Sequence, residues 1–204
     1  MRLRLSSRLL DLAMAHPRLA PLRARALADA AGLVLEIGAG TGRNLPYFGP
    51  SVAHLLASEP NLDHLLLARG RSARAPVPVS FFVASAEALP LPDRSVDAVV
   101  STFCLCSIPE VGRALAEIRR VLAPGAPYLF LEHGLCPDPD VASWQRRLAP
   151  WWRRLAGGCR LDRPIAELVR AAGFAIERLE TGKLLPGPRL LAWTYLGRAR
   201  AGEA

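Results

Sequence analysis

In LVLEIGAGTGRN, residues Leu33 to Asn44, a run of aliphatic side chains ends in Glu36 and is followed by Gly38, Gly40 and Gly42. The run has the length and composition of a buried strand. The alternate glycines remove side chains where a backbone must turn tightly and approach a ligand. A dinucleotide-binding turn has the spacing G-x-G-x-x-G, with a helix N-terminus facing pyrophosphate. Here the spacing is G-x-G-x-G, and Arg43 stands where that third glycine would fall. The pattern favours a nucleoside ligand without pyrophosphate over a turn that binds nothing. In LLASEPN, Glu59 lies at the end of the next apolar run, about twenty residues on, where a carboxylate accepts both hydroxyls of a ribose.

Outward from this turn, Leu33–Ile37, Leu55–Ser58, Val79–Ala84, Val96–Ser101 and Tyr128–Leu131 read as strands. Leu62–Arg69 and Val111–Leu122 read as helices, the latter with Leu115, Ile118 and Leu122 on one face. Such alternation predicts an α/β fold, a parallel sheet with helices on both sides. After residue 140 the order becomes helix, helix and two strands, Phe174–Glu180 and Leu190–Leu196, around the turn-rich TGKLLPGP, which predicts an antiparallel hairpin at the sheet edge. A chain of 204 residues suits one domain. Its expected parts are a helical cover over 1–30, a cofactor core over 31–135, a helical acceptor lid over 136–173 and the hairpin over 174–204.

The net charge of +8 is carried by arginine, with Lys183 the only lysine, so it reports compositional bias as readily as a polyanion site. Cys104, Cys106, Cys136 and Cys159 lack the paired spacing of a zinc site, and reduced thiols in a cytoplasmic protein without a bound metal are expected. The cationic N-terminus is interrupted by Asp11, His16 and Pro17 before a spanning or signal segment develops. Its leucines leave open peripheral contact with a membrane surface, although packing on its own domain is the plainer reading.

The matches in order of Glu36, Gly38, Gly40 and Gly42, Glu59, ASAEALPLPDRSVDAVVS and ALAEIRRVLAPGA make roughly residues 30–135 resemble the class I S-adenosylmethionine-dependent methyltransferases of the type 11 group. The resemblance implies a three-layer Rossmann-like fold, with a seven-stranded, mostly parallel sheet and S-adenosyl-L-methionine across the carboxyl ends of its first strands. It assigns Gly38, Gly40 and Gly42 to the methionine end, Glu59 to the ribose, and Ala86 and Glu87 to the adenine, with Glu36, Ala39, Asn44 and Pro60 also among the cofactor-binding residues. Thr102 and Phe103 would close over the cofactor. Ser85 stands where the group commonly carries aspartate. STFCLCSIPE, LFLEHG and WQRRLAPWWRRLAGGCRLDR resemble the thiol-methyltransferase-like branch, whose animal members methylate alkyl thiols and are membrane-associated.

On the acceptor side, His133 at a strand end is expected as a catalytic base or hydrogen-bond partner and Glu132 before it as the group that orients it, with a loop-holding role for His133 and an arginine pair for Glu132 as the alternatives. Cys104 and Cys106 read as packing, Cys106 with a place near the acceptor. Cys159 reads as packing beside Gly157 and Gly158. No D/N-P-P-Y/F follows the fourth strand, which counts against exocyclic amines of DNA bases, and no specific nucleic acid is expected as partner. Trp144, Leu148, Trp151 and Leu155 recur at helical intervals and are expected to pack over the acceptor, arginines outward. Pro150 is expected to bend or divide that helix.

These readings predict transfer of a methyl group to a small, lipophilic acceptor, a thiol first. A phospholipid, quinone or natural-product nitrogen, oxygen or carbon is the alternative within the enzyme class. A non-catalytic S-adenosylmethionine-binding or interaction protein is the alternative outside it.

Overall fold

A computed structural model describes residues 11–12, 14–185 and 187–202. The basic residues 1–10 of the expected N-terminal cover lie outside the described residues.

Seven strands form one sheet: β1 Gly32–Ile37, β2 Val52–Ser58, β3 Val79–Phe82, β4 Ala98–Thr102, β5 Pro127–His133, β6 Phe174–Lys183 and β7 Trp193–Ala201, in the order β3-β2-β1-β4-β5-β7-β6. The first five are mutually parallel, and β7 runs antiparallel to both β5 and β6. Strands covered on both faces must be apolar on both. Accordingly every residue of β4 is buried, as are the last four of β1. The alternation of a strand divides the core. Val34 points to the side of Leu27, Phe48 and Leu55, whereas Leu35 and Ile37 point to the side of Ile118, Tyr128 and Ile165.

Among the described residues, these helices flank the sheet: α1 Leu19–Leu27, α2 Leu62–Arg69, α3 Val111–Val121, α4 Pro139–Leu155, α5 Ile165–Ala171 and the single turn α6 Arg189–Ala192. Asn61 caps α2 by accepting from the backbone N–H groups of Asp63 and His64. Asp138 caps α4 in the same way, with Pro139 at the first helical position, where its missing N–H costs nothing. Strand order reverses between β1 and β4, so a crevice opens at their carboxyl ends.

Three local expectations are corrected. Residues 190–192, expected within the last strand, belong to α6, because Pro188 opens a helical turn and sheet pairing begins at Trp193 and Thr194, opposite Lys183 and His133. Regular pairing of β4 starts at Ala98, and Val96 makes only a bridge to Leu122. Pro150 does not divide α4, which continues to Leu155.

The face of α4 that meets the domain is also different from the expected one. It consists of Ala142, Gln145 and Ala149. The buried Gln145 amide accepts from Cys136 N at 2.7 Å and donates to Gly134 O at 3.2 Å and Leu190 O at 3.0 Å. These bonds fix the helix's rotation. They turn Trp144, Leu148, Trp151 and Leu155 outward, with 56, 37, 65 and 84 % of their surface exposed.

Candidate active site

A cleft of about 380 Å³ occupies the crevice, within the roughly 300–1,000 Å³ of small-molecule sites. Its floor is the turn after β1. Gly38, Gly40 and Gly42 all have positive φ, and each answers a different constraint. A Cβ on Gly38 would strike the Cys104 thiol, and one on Gly42 would meet Ala68 of α2 at 2.9 Å. A Cβ on Gly40 would meet only Gly38 O, at 3.8 Å, so there its positive φ calls for glycine, and its backbone lines the cleft. Gly42 therefore packs the turn on α2 and stands outside this cleft's wall. Instead of a long helix, the turn leads into a short 3-10 turn, Leu45–Tyr47. That geometry offers pyrophosphate no extended helix N-terminus.

Just past β2, the buried Glu59 accepts from Gly40 N and Asn61 N, both at 3.0 Å, one on each carboxylate oxygen. A carboxylate has about four lone-pair sites, so one acceptor position per oxygen remains for a vicinal diol. Pro60, Asn61 and His64 line the cleft beside it. At the far side Ser85 Oγ donates to Glu87 Oε2 at 3.0 Å, and Glu87 Oε1 accepts from Glu110 N at 2.7 Å. The Glu87 carboxylate is thereby committed to holding the loop, and Ser85, Ala86 and Glu87 form the wall.

Behind the floor lies a polar chain that the sequence did not reveal. Arg23, on α1, is buried and donates through Nη1 to Asn44 Oδ1 at 2.5 Å and Thr102 Oγ1 at 3.3 Å. Asn44 Nδ2 donates to Glu36 Oε1 at 2.6 Å and Thr102 Oγ1 at 2.7 Å. Burial raises the Glu36 carboxyl to about 7, against the pull of Asn44 and Arg23. Glu36 stands behind Asn44 and does not reach the cleft, whereas Arg23, Asn44 and Thr102 do. The Arg23 guanidinium also lies 5.6 Å from the centre of the Phe103 ring. Phe103 has a φ of 52°, a conformation that costs a side-chain-bearing residue on the order of 1–3 kcal/mol, and its N–H is tied to Leu131 O at 2.8 Å.

A second latch joins the N-terminal segment to the turn. The Asp11 carboxylate accepts from Thr41 Oγ1 at 2.5 Å, from Arg43 Nε at 2.8 Å and from Arg71 Nη1 at 2.7 Å. Although burial opposes ionisation, these bonds hold Asp11 well below the usual carboxylate range.

Phe103, Cys104, Ser107, Ile108, Pro109, Ala156 and Gly157 line the other end of the cleft. The two residues expected as catalytic stand behind this wall. Glu132 is fully buried and accepts from Ser101 Oγ at 2.7 Å and Cys104 N at 2.9 Å, which holds the loop after β4. His133 is also buried, with Nδ1 3.6 Å from the Cys159 thiol. Cys106 is buried next to Ser107 and likewise does not line the cleft. Arg163, which the sequence places in a basic patch, is buried and donates to the carbonyls of Leu105, Ile108 and Pro109, so it ties the α4–α5 connection to the same loop. Trp144 and Trp151 lie outside the cleft on the exposed face of α4. Ser107, Ile108, Pro109, Ala156 and Gly157 fall within the segments STFCLCSIPE and WQRRLAPWWRRLAGGCRLDR without being singled out there, whereas Arg23 lies in no motif and meets the others only in the fold.

A sequence profile described as "Methyltransferase domain" matches residues 35–130. The thiol S-methyltransferase TMT1B of Homo sapiens is 32% identical over 185 residues, 88% of this chain and 74% of that protein. The chain belongs to the class I S-adenosylmethionine-dependent methyltransferases. TMT1B of Rattus norvegicus is 35% identical over 150 residues, 72% of this chain, which spans about three fifths (62%) of the rat protein's length. Among solved structures, YcgJ of Bacillus subtilis shares the fold, with a TM-score of 0.72 at 17% identity over 92% of this chain and 99% of that one. The methyltransferase cleft is compatible with S-adenosylmethionine: the free Glu59 acceptor positions suit a ribose, and the bare Gly40 backbone admits close approach.

Burial also raises the Glu132 carboxyl to about 7, against the hydrogen bonds of Ser101 and the backbone of Cys104, Leu105 and Cys106. The unfolded chain releases that proton near 4.5, so between about 4.5 and 7 only the unfolded state gives it up, and this carboxyl's contribution to stability is lost as pH rises. Urea midpoints at pH 5 and pH 7.5 should show the protein losing ground relative to Glu132→Gln over that interval. A pH-independent difference would mean that Glu132 is already ionised at the lower value.

Proposed function

We propose that the protein transfers the methyl group of S-adenosylmethionine to the sulfur of a small, lipophilic thiol. The observation that carries this reading is the make-up of the acceptor end. Phe103, Ile108, Pro109, Ala156 and Gly157, with Cys104 and Ser107 among them, form a mostly apolar wall that carries no charged side chain. The nearby carboxylates of Glu59 and Glu87 are engaged by backbone N–H groups, and His64 lies at the ribose end beside Glu59. An acceptor there must bring its own nucleophile. A thiol does so, since its ordinary pKa of about 8.5 leaves a fraction ionised at neutral pH. When bound, the cofactor supplies a methyl group on a positively charged sulfur. The residues of this chain hold the acceptor in line with that carbon and exclude water, a contribution worth on the order of 7–11 kcal/mol in favourable cases. The name of the TMT1B relatives supports a thiol as the acceptor.

In this reading Glu59 takes the ribose hydroxyls. Ala86 and Glu87 flank the adenine, with Pro60 beside the sugar. Gly38, Ala39, Gly40, Asn44, Thr102 and Phe103 surround the methionine part. Glu132 is a positioning residue that holds the acceptor loop, and His133 supports it from behind. Arg23 is added to the set: among the described residues that line the cleft it is the buried cation, and its hydrogen bonds to Asn44 and Thr102 both use Nη1, so among these residues its other donors face a carboxylate. The unpaired spacing of Cys104, Cys106, Cys136 and Cys159 supports a cytoplasmic enzyme with reduced thiols.

No helix among the described residues is long and apolar enough to cross a membrane. A peripheral contact fits α4 better than nucleic acid does. Its outward tryptophans and leucines alternate with Arg146, Arg147, Arg153 and Arg154, and no acid occurs from 141 to 161. Arg147 and Arg154 lie 5.5 and 5.7 Å from the ring centres of Trp144 and Trp151, as long cationic side chains do at the edge of an apolar surface.

Three measurements test this reading. In a methyl-transfer screen over alkyl and aryl thiols, phenols, amines, quinols and phospholipids, thiols should turn over, with rate rising toward the acceptor's own pKa; turnover of another class with inert thiols would overturn the acceptor. In calorimetry, Arg23→Ala should weaken S-adenosylmethionine at least about tenfold, the worth of one charge-assisted hydrogen bond, yet leave its decarboxylated analogue almost unchanged. Equal losses would remove Arg23 from the carboxylate. The protein should sediment with vesicles containing phosphatidylserine, and Trp144→Ala with Trp151→Ala should abolish this; sedimentation that survives the double change would exclude α4 as the contact.

A further inference from the structure

Cys106 and Cys159 come together from segments 53 positions apart, a number given by the difference of their positions. Cys106 lies in the loop after β4, and Cys159 follows the Gly157–Gly158 turn at the end of α4. The two backbones are joined where Arg160 N donates to Cys106 O at 2.8 Å. Each cysteine Cα is two covalent bonds from that hydrogen bond, so the pair lies within roughly the Cα separation that a disulfide spans. The two thiols act directly on each other's ionisation, and all four cysteines are free. The two sulfurs differ in access: Cys106 is buried, and Cys159 is partly open.

We propose that Cys106 and Cys159 form a redox-active dithiol that exchanges with low-molecular-weight disulfides, Cys159 as the attacking sulfur and Cys106 as the resolving one. The surroundings fit this division. The neighbouring Cys106 thiol, and after it His133 at 3.6 Å, hold the Cys159 thiol well below its ordinary value despite burial, whereas the Cys159 thiol and burial hold Cys106 well above. A thiolate is the attacking species in such exchange. Cys159 loses its proton to water and its sulfur attacks the disulfide R–S–S–R. One S–S bond breaks, a Cys159–S–S–R bond forms, and RS⁻ leaves. Cys106 then attacks the Cys159 sulfur and gives its proton to the second departing RS⁻. The protein's two thiols are oxidised by two electrons, and the added disulfide is reduced to two thiols. The new bond would tie the Ala156–Gly157 turn to the loop that carries Ser107, Ile108 and Pro109, the two sides of the acceptor end. His133, unexplained by the cleft, acquires a role here as the polar group that faces the attacking thiol.

The probe is oxidised glutathione, applied to the full chain and followed by alkylation and peptide mass spectrometry. The expected product is a cross-linked pair of peptides bearing Cys106 and Cys159, reversed by dithiothreitol, with Cys104 and Cys136 still alkylated. Cys106→Ser should stop at a glutathione adduct on Cys159, and Cys159→Ser should give neither adduct nor cross-link. His133→Ala should slow adduct formation on Cys106→Ser at neutral pH by roughly tenfold while the final adduct is the same. Four alkylated cysteines after treatment, a cross-link through Cys104, or an adduct on Cys106 in preference to Cys159 would each overturn the proposal.

Discussion

The Asn44 side chain is the point on which the cofactor end depends. Its amide donates to Glu36 at the end of β1 and to Thr102 at the end of β4, and its carbonyl accepts from Arg23 on α1. One buried side chain thus joins the two strands that flank the topological switch to the helix that covers them. Buried polar groups are costly when unpaired. The glycine turn therefore cannot shift without exposing or orphaning a carboxyl, an amide and a guanidinium together. The cleft floor is fixed by this chain more than by apolar packing, because the glycines contribute no side chains to hold it.

The acceptor end is built on the same plan with different parts. Glu132 reaches from β5 to the backbone of Cys104, and Arg163 reaches from the α4–α5 connection to the carbonyls of Leu105, Ile108 and Pro109. Both side chains satisfy backbone groups of a loop that has no ladder of its own. Charge is spent on shape here, and the wall that meets the ligand stays mostly apolar. The two cysteines sit where this loop and the Gly157–Gly158 turn meet, which puts thiol chemistry next to the acceptor end without placing it inside.

Much of this was legible in the chain. The β1 run and its glycines carry period and chirality requirements that only local physics imposes, and α2 begins and ends where its cap and its following glycine put it. Glu59 was legible because a strand end, a fixed distance from the turn, has few places to go. Less legible were positions where hydrogen bonds outweigh hydrophobicity. The spacing of Trp144, Leu148, Trp151 and Leu155 identifies one apolar stripe correctly, yet periodicity cannot say whether the stripe faces inward. Gln145 decides it, with three bonds to backbone groups from two other segments. His133 and Glu132 were legible as polar residues at a strand end, but not which way the strand end opened.

What the sequence by itself determined is the α/β layering, the glycine turn, an acid just past the second strand and the family, since each rests on residues close in the chain or on a local spacing. The tertiary structure alone decided which side chains share the cleft. Arg23 joins Asn44 across 21 positions, Arg163 joins Leu105 across 58, and Cys106 meets Cys159 across 53. No local propensity encodes such distances. They are settled only when the sheet order and the rotation of each helix are set by burial and by the need to satisfy every buried polar group.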